Sequence, residues 1–279
     1  MAADQHLPVI LDPREAVVRV VQLTDSHLDA ERGGKLLDMD TDHSLQAVIT
    51  QVLAQRPHND LVLATGDLAD GGAAPAYVRL AGYLERFSCP SFWLPGNHDV
   101  REAMERGCSG QSRMGREILI GNWQILMLDS QVPGAVGGGL GTEELAFLER
   151  SLQAATEQGL HTLVVLHHHP VPMGSAWIDE QVVVDADEFF AVTDRYPAAK
   201  AILWGHVHQE RDEQRKTARL LSTPSTCVQF APGSVEFKAD DKPPGYRWLD
   251  LHPDGRIETG VARVTDVHFT VDLERGGYL

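Results

Sequence analysis

Residues 17–27 read VVRVVQLTDSH, a valine-rich run that ends directly in an aspartate and a histidine, Asp25 and His27. Such a run predicts a buried strand with the polar pair at its carboxyl end. Four later segments repeat the arrangement: LVLATGD at 61–67, SFWLPGNHD at 91–99, TLVVLHHH at 162–169 and AILWGHVH at 201–208. Because ligands of open α/β sheets bind outside the carboxyl ends of the strands, we expect these five polar groups to meet.

Helical patterns separate these strands. Residues 44–53 repeat apolar side chains at the spacing of one helix face. Pro75 is predicted to open a second helix, and Thr142 to cap a third helix that stops near Gly159. Residues 185–196 predict a fourth helix. Strands that alternate with helices in this way indicate a layered α/β fold.

The last part of the sequence has a different pattern. Residues 219–222, 246–251 and 256–261 predict antiparallel strands, and an HPDG turn would join the last two as a hairpin. No stretch is rich enough in proline, glycine or serine to mark a linker. We therefore expect a single domain over residues 1–279, with a core at about 17–262 and a short C-terminal extension.

Composition excludes several classes of protein. The 279 residues carry 40 acidic and 24 basic side chains, a net charge of −16, which argues against a nucleic-acid partner. No apolar run approaches the roughly 20 residues of a membrane span, and the first 15 residues lack the pattern of a secretory signal. The three cysteines form no C-x-x-C pair, which argues against a thiolate zinc site. These features predict a cytoplasmic protein without a membrane partner.

The polar groups at the strand ends have the donor types of a metal site. Carboxylate, amide and imidazole donors without thiolate suit iron, manganese or zinc. Two divalent cations would outweigh the carboxylates of Asp25 and Asp67, leaving a positive site that suits an anionic substrate. Residues i and i+2 of an extended segment project to the same side, so each D-x-H or H-x-H pair is expected to direct both side chains together.

The five blocks D-x-H, G-D, G-N-H-D, a histidine stretch before proline and G-H-x-H follow one another from Asp25 to His208. In this order they resemble the calcineurin-like metallophosphoesterases. LHHHPVPMGSAWID at 166–179, PSTCVQF at 224–230 and PGYRWLDLHPDG at 244–255 are similar to the bacterial class III 3′,5′-cyclic-AMP phosphodiesterases. The resemblance implies an α/β metallophosphoesterase fold, a layered β-sheet sandwich flanked by helices.

The resemblance also implies a set of metal ligands. One metal would be held by Asp25, His27, Asp67 and His208, and the second by Asp67, Asn97, His167 and His206, with Asp67 bridging. The triple histidine is ambiguous, because His169 stands where the family often has a proline. His167 directly follows the predicted strand and is preferred, and His168 is the competing choice.

The same resemblance assigns roles around the substrate. His98 would stand beside the substrate as the general acid that protonates the departing ribose 3′-oxygen, a role worth about 10²- to 10⁴-fold. Substrate contacts are expected from the group of residues nearest the phosphate, namely His27, Asp67, Asn97, His98 and His208. A water activated by the metals would attack phosphorus.

The expected function is hydrolysis of 3′,5′-cyclic AMP to 5′-AMP, which ends a cyclic-nucleotide signal. The cofactors would be two divalent ions per chain, Fe²⁺ in preference to Mn²⁺ or Zn²⁺, and the partner a small cyclic nucleotide. The alternative is a broader phosphodiesterase acting on 2′,3′-cyclic nucleotides or other small diesters, since fold does not fix function. A scaffold protein that has lost its ligands ranks below both enzymes, because the ligand set is complete.

Several residues near these blocks have a plainer interpretation. Asp70 is expected to be a solvated loop carboxylate, and Asp99 either orients His98 or holds its turn through backbone hydrogen bonds. The glycine-rich segment 133–141 is expected to be a connection, since no G-K-[ST] follows it. Cys227 has no paired base in the sequence, so we expect a structural cysteine.

Overall fold

The computed structural model of the chain describes residues 7–108 and 113–277. The strands are, in chain order, β1 (Val9–Leu11), β2 (Val18–Leu23), β3 (Lys35–Leu36), β4 (Met39–Asp40), β5 (Leu61–Thr65), β6 (Ser91–Leu94), β7 (Glu117–Ile120), β8 (Trp123–Met127), β9 (His161–Val165), β10 (Ala199–Trp204), β11 (Arg211–Arg215), β12 (Ala218–Ser222), β13 (Gln229–Phe230), β14 (Ala239–Asp240), β15 (Gly245–Leu251) and β16 (Ile257–Arg263). The helices are α1 (Thr41–Gln55), α2 (Ala74–Leu84), α3 (Arg101–Gly107), α4 (Gly141–Gln158), α5 (Ala176–Asp179) and α6 (Ala186–Thr193).

Two large sheets form the centre of the fold. The first has seven strands in the order β1-β7-β8-β9-β10-β12-β11, and the second has five in the order β16-β15-β2-β5-β6. Val20 and Leu63 of the second sheet share one buried core with Ile125, Val165 and Leu203 of the first. Each fully buried side chain of this size contributes roughly 1.5–3 kcal/mol to stability. The sheets therefore pack face to face as a sandwich.

Helices cover both outer faces of the sandwich. Leu45 of α1 and Leu80 of α2 pack against Val21 and Val62 on the outside of the five-stranded sheet. On the outside of the seven-stranded sheet, a separate buried cluster joins residues of α4 and α6 to β9 and β10. Since the central strands are buried on both faces, they are apolar almost throughout. The predicted sandwich flanked by helices is confirmed.

The polar segments follow parallel strands of two different sheets. β2, β5 and β6 run parallel in the five-stranded sheet, and β9 and β10 run parallel in the seven-stranded sheet. The two groups of carboxyl ends meet at one edge of the sandwich, where the His206 amide donates to the Asp25 carboxylate across the sheets at 3.0 Å. The five groups meet as expected, but between two sheets rather than along one.

One local prediction was wrong, and a second was incomplete. α4 begins at Gly141, and Thr142 does not cap it. The Asp185 carboxylate caps the helix instead, accepting from the amides of Leu140 at 2.9 Å and Gly141 at 2.6 Å. The predicted strand at 219–222 pairs antiparallel with β11 but also parallel with β10. Both differences have one cause, because the partners, Asp185 and β10, reach these segments through tertiary contacts.

The C-terminal extension packs on the small hairpin of β3 and β4. Phe269 and Val271 contact a buried cluster that includes Leu36 and Met39. The Asp272 amide donates to the Leu37 carbonyl oxygen at 2.8 Å. None of the helices in the described part of the chain combines the length and the apolar character that crossing a membrane requires.

A buried carboxylate holds the loop that follows His27. Asp42 is 2% exposed and accepts hydrogen bonds from Tyr83 Oη at 2.7 Å, Gly33 N at 3.0 Å and Arg79 Nε at 3.1 Å. Burial opposes the charge, yet the bonds from Tyr83 and Arg79 outweigh it and hold the pKa of Asp42 below its ordinary value. The ionised form is therefore the one that stabilises the fold.

We expect Asp42→Asn to lower the free energy of unfolding by about 2–3 kcal/mol at pH 7, since hydrogen bonds to a charged group are lost. A depressed folded-state pKa stabilises above the unfolded value of about 4, and this contribution disappears as the pH falls through the folded pKa. The gap between wild type and variant should therefore shrink below pH 4. Urea unfolding of wild type and variant at pH 7 and again below pH 4 measures this difference in stability. A difference that does not depend on pH would contradict the account.

Candidate metal centre

The seven predicted ligand residues lie together at the edge where the sheets meet. Six are buried to 3% exposure or less: Asp25, His27, Asp67, His167, His206 and His208. Asn97 is half-buried, in the turn that follows β6. The next residue in that turn, His98, donates its amide to Asp67 Oδ1 at 2.9 Å. One site therefore collects side chains that are up to 183 residues apart in the sequence.

The backbone at these residues is not extended. Asp25, His27, Asp67, His206 and His208 all have positive φ, between 44° and 64°. Left-handed backbone is uncommon for residues other than glycine and costs of order 1–3 kcal/mol at each position, and it is found mostly where function requires it. The expectation that D-x-H and H-x-H pairs act as extended segments was wrong. These five ligands instead sit in left-handed bends after their strands.

The first group of ligand atoms comes from both sheets. Asp25, His27 and His208 place one donor atom each within 4.8 Å of one another. His208 Nδ1 donates to the Val228 carbonyl oxygen at 2.7 Å, which directs Nε2 toward Asp25 Oδ1 at 3.4 Å. Its ring also stacks on Phe230, with a centroid separation of 3.9 Å. The hydrogen bond fixes the tautomer, and both contacts fix the ring orientation that metal ligation needs.

The second group centres on Asp67. His167 Nδ1 donates to the Thr65 carbonyl oxygen at 2.8 Å, and Nε2 lies 3.2 Å from Asp67 Oδ2. The same Oδ2 is 3.9 Å from His27 Nε2, so Asp67 stands between the two groups. The His206 ring lies 5.1 Å from the His167 ring, measured between centroids. Asp67 would therefore be the carboxylate shared by the two groups if each group held an ion.

Two of the ligand histidines have the neutral form that binds a metal ion, and a third is held protonated by the carboxylates beside it. Burial lowers the pKa of His27 to about 3 and the pKa of His206 well below its ordinary value, so both imidazoles are neutral, the form that binds metals. At His167 burial also works to lower the pKa, yet Asp67 and Asp25 outweigh it and raise the pKa to about 9. A proton on His167 balances carboxylate charge that a divalent ion would otherwise balance.

The donor set fits a pair of divalent ions. Within the described ranges, no hydrogen-bond partner reaches either ring nitrogen of His206, Nε2 of His208 or Oδ1 of Asn97, although all four atoms are buried. Buried polar atoms are almost always hydrogen-bonded, so a group of them facing two carboxylates calls for another partner. Neutral nitrogen and oxygen donors of this kind match the preferences of iron, manganese and zinc.

Three glycines make room for the ligands. A Cβ atom at Gly66 would lie 2.2 Å from His167 Nδ1, and one at Gly205 would lie 2.1 Å from Thr24 Oγ1. At Gly96 the added atom would lie 2.2 Å from Asp67 Oδ1 and 2.7 Å from His167 Nε2. Real Cβ atoms do not approach other atoms so closely. Only glycine therefore permits the backbone to pass this near to the carboxylate.

We expect Gly96→Ala to lower metal affinity about 10- to 100-fold, the loss typical when the surroundings of a ligand are disturbed. The new methyl group would displace Asp67 and His167 while leaving every ligand in the sequence. Bound metal per chain, measured by elemental analysis after dialysis, tests this. Gly82→Ala, where an added Cβ meets nothing within 4 Å, is the matched control. Two tightly held ions in Gly96→Ala would contradict the account.

His98 stands at the rim of the site against Asp70. Its ring packs edge-on against His27 at 4.9 Å, and its Nδ1 lies 3.2 Å from Asp70 Oδ1. Burial works against a charged ring, yet Asp67 and Asp70 together raise the pKa of His98. Asp70 is an exposed carboxylate, as expected, and it additionally contacts His98, which the sequence did not predict. Its position three residues after Asp67 was the available signal.

The hydrogen bonds of Asp99 are those of a residue that holds the turn after β6, not of one that orients the His98 ring. The Asp99 carboxylate accepts from Leu68 N and Gly96 N, at 3.1 and 2.9 Å, and from Tyr77 Oη at 2.8 Å. These bonds fasten the turn after β6 to the bend after β5. The structure therefore favours the second of the two roles considered for Asp99.

His168 and His169, the other two members of the triple histidine, contact protein groups through hydrogen bonds or ring stacking. His168 Nδ1 lies 2.8 Å from Ser130 Oγ, and Nε2 lies 3.1 Å from the Val136 carbonyl oxygen. The glycine-rich loop thus closes over His168, and a Cβ at Gly138 would come within 2.5 Å of its side chain. The His169 ring stacks on the His206 ring at 5.6 Å, with an angle of 19° between the planes.

The PSTCVQF segment at 224–230 contacts two of the ligand residues, Asp25 and His208. This role was not predicted from the sequence. Ser225 Oγ donates to the Asp25 carbonyl oxygen at 2.7 Å, and Cys227 Sγ does so at 3.3 Å. Burial raises the pKa of the Cys227 thiol to about 12, which fits the expected structural cysteine. Val228 and Phe230 hold the His208 ring through a hydrogen bond and a stacking contact. The segment therefore fixes ligands on two different loops.

Comparisons with known proteins agree with this geometry. The profile of the family described as Calcineurin-like phosphoesterase matches residues 18–210. The 3′,5′-cyclic adenosine monophosphate phosphodiesterase CpdA of Pseudomonas aeruginosa is 48% identical over 264 residues, covering 95% of this chain and 96% of the relative. The CpdA of Escherichia coli (strain K12) is 43% identical over 266 residues, with coverage of 95% and 96%.

Solved structures with a similar fold are more distant in sequence. A dimetal phosphatase from Danio rerio has a TM-score of 0.63 at 13% identity, covering 90% of this chain and 100% of that one. The purple acid phosphatase PPD1 from yellow lupin has a TM-score of 0.66 at 14% identity, with coverage of 93% and 54%. At such identities the likeness concerns the fold alone.

Proposed function

The chain belongs to the calcineurin-like phosphoesterase family, and from this membership and its candidate metal centre we propose that it is a dimetal phosphodiesterase that hydrolyses 3′,5′-cyclic AMP to 5′-AMP. This reaction would end a cyclic-nucleotide signal. The proposal depends on one feature of the site, the buried carboxylate of Asp67 between two groups of ligand atoms. Relatives that match nearly the full length of the chain carry the name of this activity.

The ligand assignment follows the two groups of atoms. Asp25, His27, Asp67 and His208 would hold one ion, and Asp67, Asn97, His167 and His206 the other. His167 is chosen over His168 because Ser130 and Val136 occupy both ring nitrogens of His168. Fe²⁺ is preferred, with Mn²⁺ and Zn²⁺ as alternatives, on the nitrogen and oxygen donors present. When bound, the two ions supply Lewis-acid chemistry, drawing charge from phosphoryl oxygens and activating water.

The chain's own residues position the phosphate and move a proton. Substrate contacts would come from His27, Asp67, Asn97, His98 and His208, of which His27, Asp67 and His98 each place one donor atom within 4.8 Å of the others. His98 is the general acid, which gives a proton to the departing ribose 3′-oxygen, a poor leaving group. The contact between its Nδ1 and Asp70 sets the orientation of the ring. Asp70 is therefore a positioning residue for this step.

Both sheets supply ligands, which supports the prediction that residues 1–279 act as a single domain. The substrate partner is a small cyclic nucleotide, and the net charge of −16 disfavours nucleic acid. The cytoplasmic location expected from the sequence stays a prediction.

The proposal is tested by comparing two isomers of the substrate. The metal-loaded protein is given 3′,5′-cyclic AMP and 2′,3′-cyclic AMP in parallel, and the products are separated by chromatography. Higher kcat/KM on the 3′,5′ isomer, with 5′-AMP as the product, is the expected result. Turnover of the 2′,3′ isomer alone would leave the metal centre in place and replace the signalling role with the broader activity.

A further inference from the structure

An aromatic wall, formed by Trp177, Phe230 and Phe237, adjoins the metal centre. Phe230 stacks on the ring of the ligand His208 with 6° between the planes. Trp177 meets Phe230 edge to face at a centroid distance of 5.1 Å, and it meets Phe237 at the same distance. The Phe230 ring is therefore in contact with both Trp177 and the proposed metal ligand His208.

Two loops are fastened together to build this wall. Trp177 Nε1 donates to Ser234 Oγ at 3.1 Å, which fixes the indole. The Ala176 amide donates to the Ser234 carbonyl oxygen at 3.0 Å, and the Gly233 amide to Ser175 Oγ at 2.9 Å. Because Ser175 is itself buried, these bonds are protected from water. The indole is therefore held in place before any ligand arrives, and preorganisation of this kind reduces the cost of binding.

The wall continues a row of rings that starts at the general acid. From His98 to His27 the centroids are 4.9 Å apart, and from His27 to His208 they are 5.3 Å apart. Phe230 and Trp177 follow at 3.9 and 5.1 Å. The first part of the row consists of histidines assigned to the phosphate in the proposed function, and the second part is apolar. A molecule with a charged end and a planar neutral end matches this order.

Exposure distinguishes the members of the wall. Phe230 is 1% exposed and belongs to the core, whereas Trp177 and Phe237 are half-buried and keep part of their surface in solvent. At the opposite end of the row, His98 contacts the carboxylate of Asp70. The planar, uncharged end of a ligand is therefore better accommodated at Trp177 than at His98.

We propose that Trp177, supported by Phe230 and Phe237, stacks on the base of the cyclic nucleotide and makes the site prefer nucleotides over simple phosphodiesters. This inference rests on the proposed function. Stacking of a base on an aromatic side chain, measured by alanine substitution, corresponds to about a 5- to 150-fold change in affinity. The residue would contribute to binding of the base and take no part in the chemical step.

The test compares 3′,5′-cyclic AMP with methyl riboside 3,5-cyclic phosphate, which has a methoxy group in place of adenine. We expect Trp177→Ala to raise KM for cyclic AMP about 5- to 150-fold and to leave kcat nearly unchanged. The KM of the compound without a base should stay within about twofold, since it has no ring to stack. Trp177→Leu should behave like the alanine variant while filling most of the space, and Trp177→Phe should stay close to wild type.

Trp248→Ala is the matched control. Trp248 is also half-buried, but it lies on β15 beneath the Arg56 guanidinium, at 4.7 Å from its ring. Metal content and thermal midpoint of each variant show whether folding is retained. An equal rise in KM for both compounds in the alanine and leucine variants, or no rise for either, would overturn the stacking role alone. A wild type that hydrolyses only the compound without a base would overturn the proposed function as well.

Discussion

Asp67→Asn is expected to lower kcat/KM on 3′,5′-cyclic AMP by about 10³-fold or more. Each ion is worth several kcal/mol in the transition state, and 1.36 kcal/mol is a factor of ten. The amide keeps the shape of the side chain and an oxygen for the His98 amide, but it loses the charge placed between the two groups of ligand atoms. We therefore expect loss of bound metal together with loss of activity.

The measurement is kcat/KM and metal content on the same preparation. Asp38→Asn is the control, because Asp38 is an exposed carboxylate with left-handed backbone that asparagine tolerates. An Asp67→Asn protein that binds two ions and turns over substrate at the wild-type rate would show that this carboxylate does not bridge.

His98→Ala is expected to reduce kcat on 3′,5′-cyclic AMP by about 10²- to 10⁴-fold, the usual contribution of general acid catalysis. Metal content should not change, since His98 is assigned no metal. Asp70→Asn should reduce kcat by a smaller factor, because the ring of His98 loses its orienting contact but keeps its proton-donating nitrogen.

The leaving group decides whether His98 acts as an acid. A nitrophenyl ester of a nucleotide has a leaving group that needs no proton, so His98→Ala should lose far less activity on that ester than on cyclic AMP. An equal loss on both substrates would contradict the general-acid role and indicate a binding role instead. Steady-state rates on the two substrates, at the same pH and metal load, give the comparison.

The sequence predicted the location of the site because the end of a strand leaves a pattern within a few neighbouring residues. An apolar run followed by a polar ligand-type residue reports both the strand and its carboxyl end, as in β2 before Asp25 and β10 before His206. Parallel pairing then brings such ends to one edge. The helix periodicity of 44–53 was equally local, and α1 (Thr41–Gln55) confirms it.

The details that failed depend on contacts distant in sequence. Asp185 caps α4 from 44 residues away, and no local pattern distinguishes it from Thr142. The left-handed bends at the ligands occur in loops that bond to neighbouring loops, as when the His27 amide donates to the Asp67 carbonyl oxygen at 2.9 Å. Such backbone strain persists only where the contacts of the whole site offset its energetic cost, and a local sequence pattern does not show those contacts.

The central claim is that two ions, bound around Asp67, are required for hydrolysis of 3′,5′-cyclic AMP. The most direct test strips the protein of metal with a chelator and returns Fe²⁺ or Mn²⁺ under anaerobic conditions, while turnover to 5′-AMP and bound metal are followed together. We predict no turnover in the stripped protein and a rate that rises mainly as the second ion per chain binds. Full activity in the stripped protein, or full activity with one ion per chain, would contradict the account.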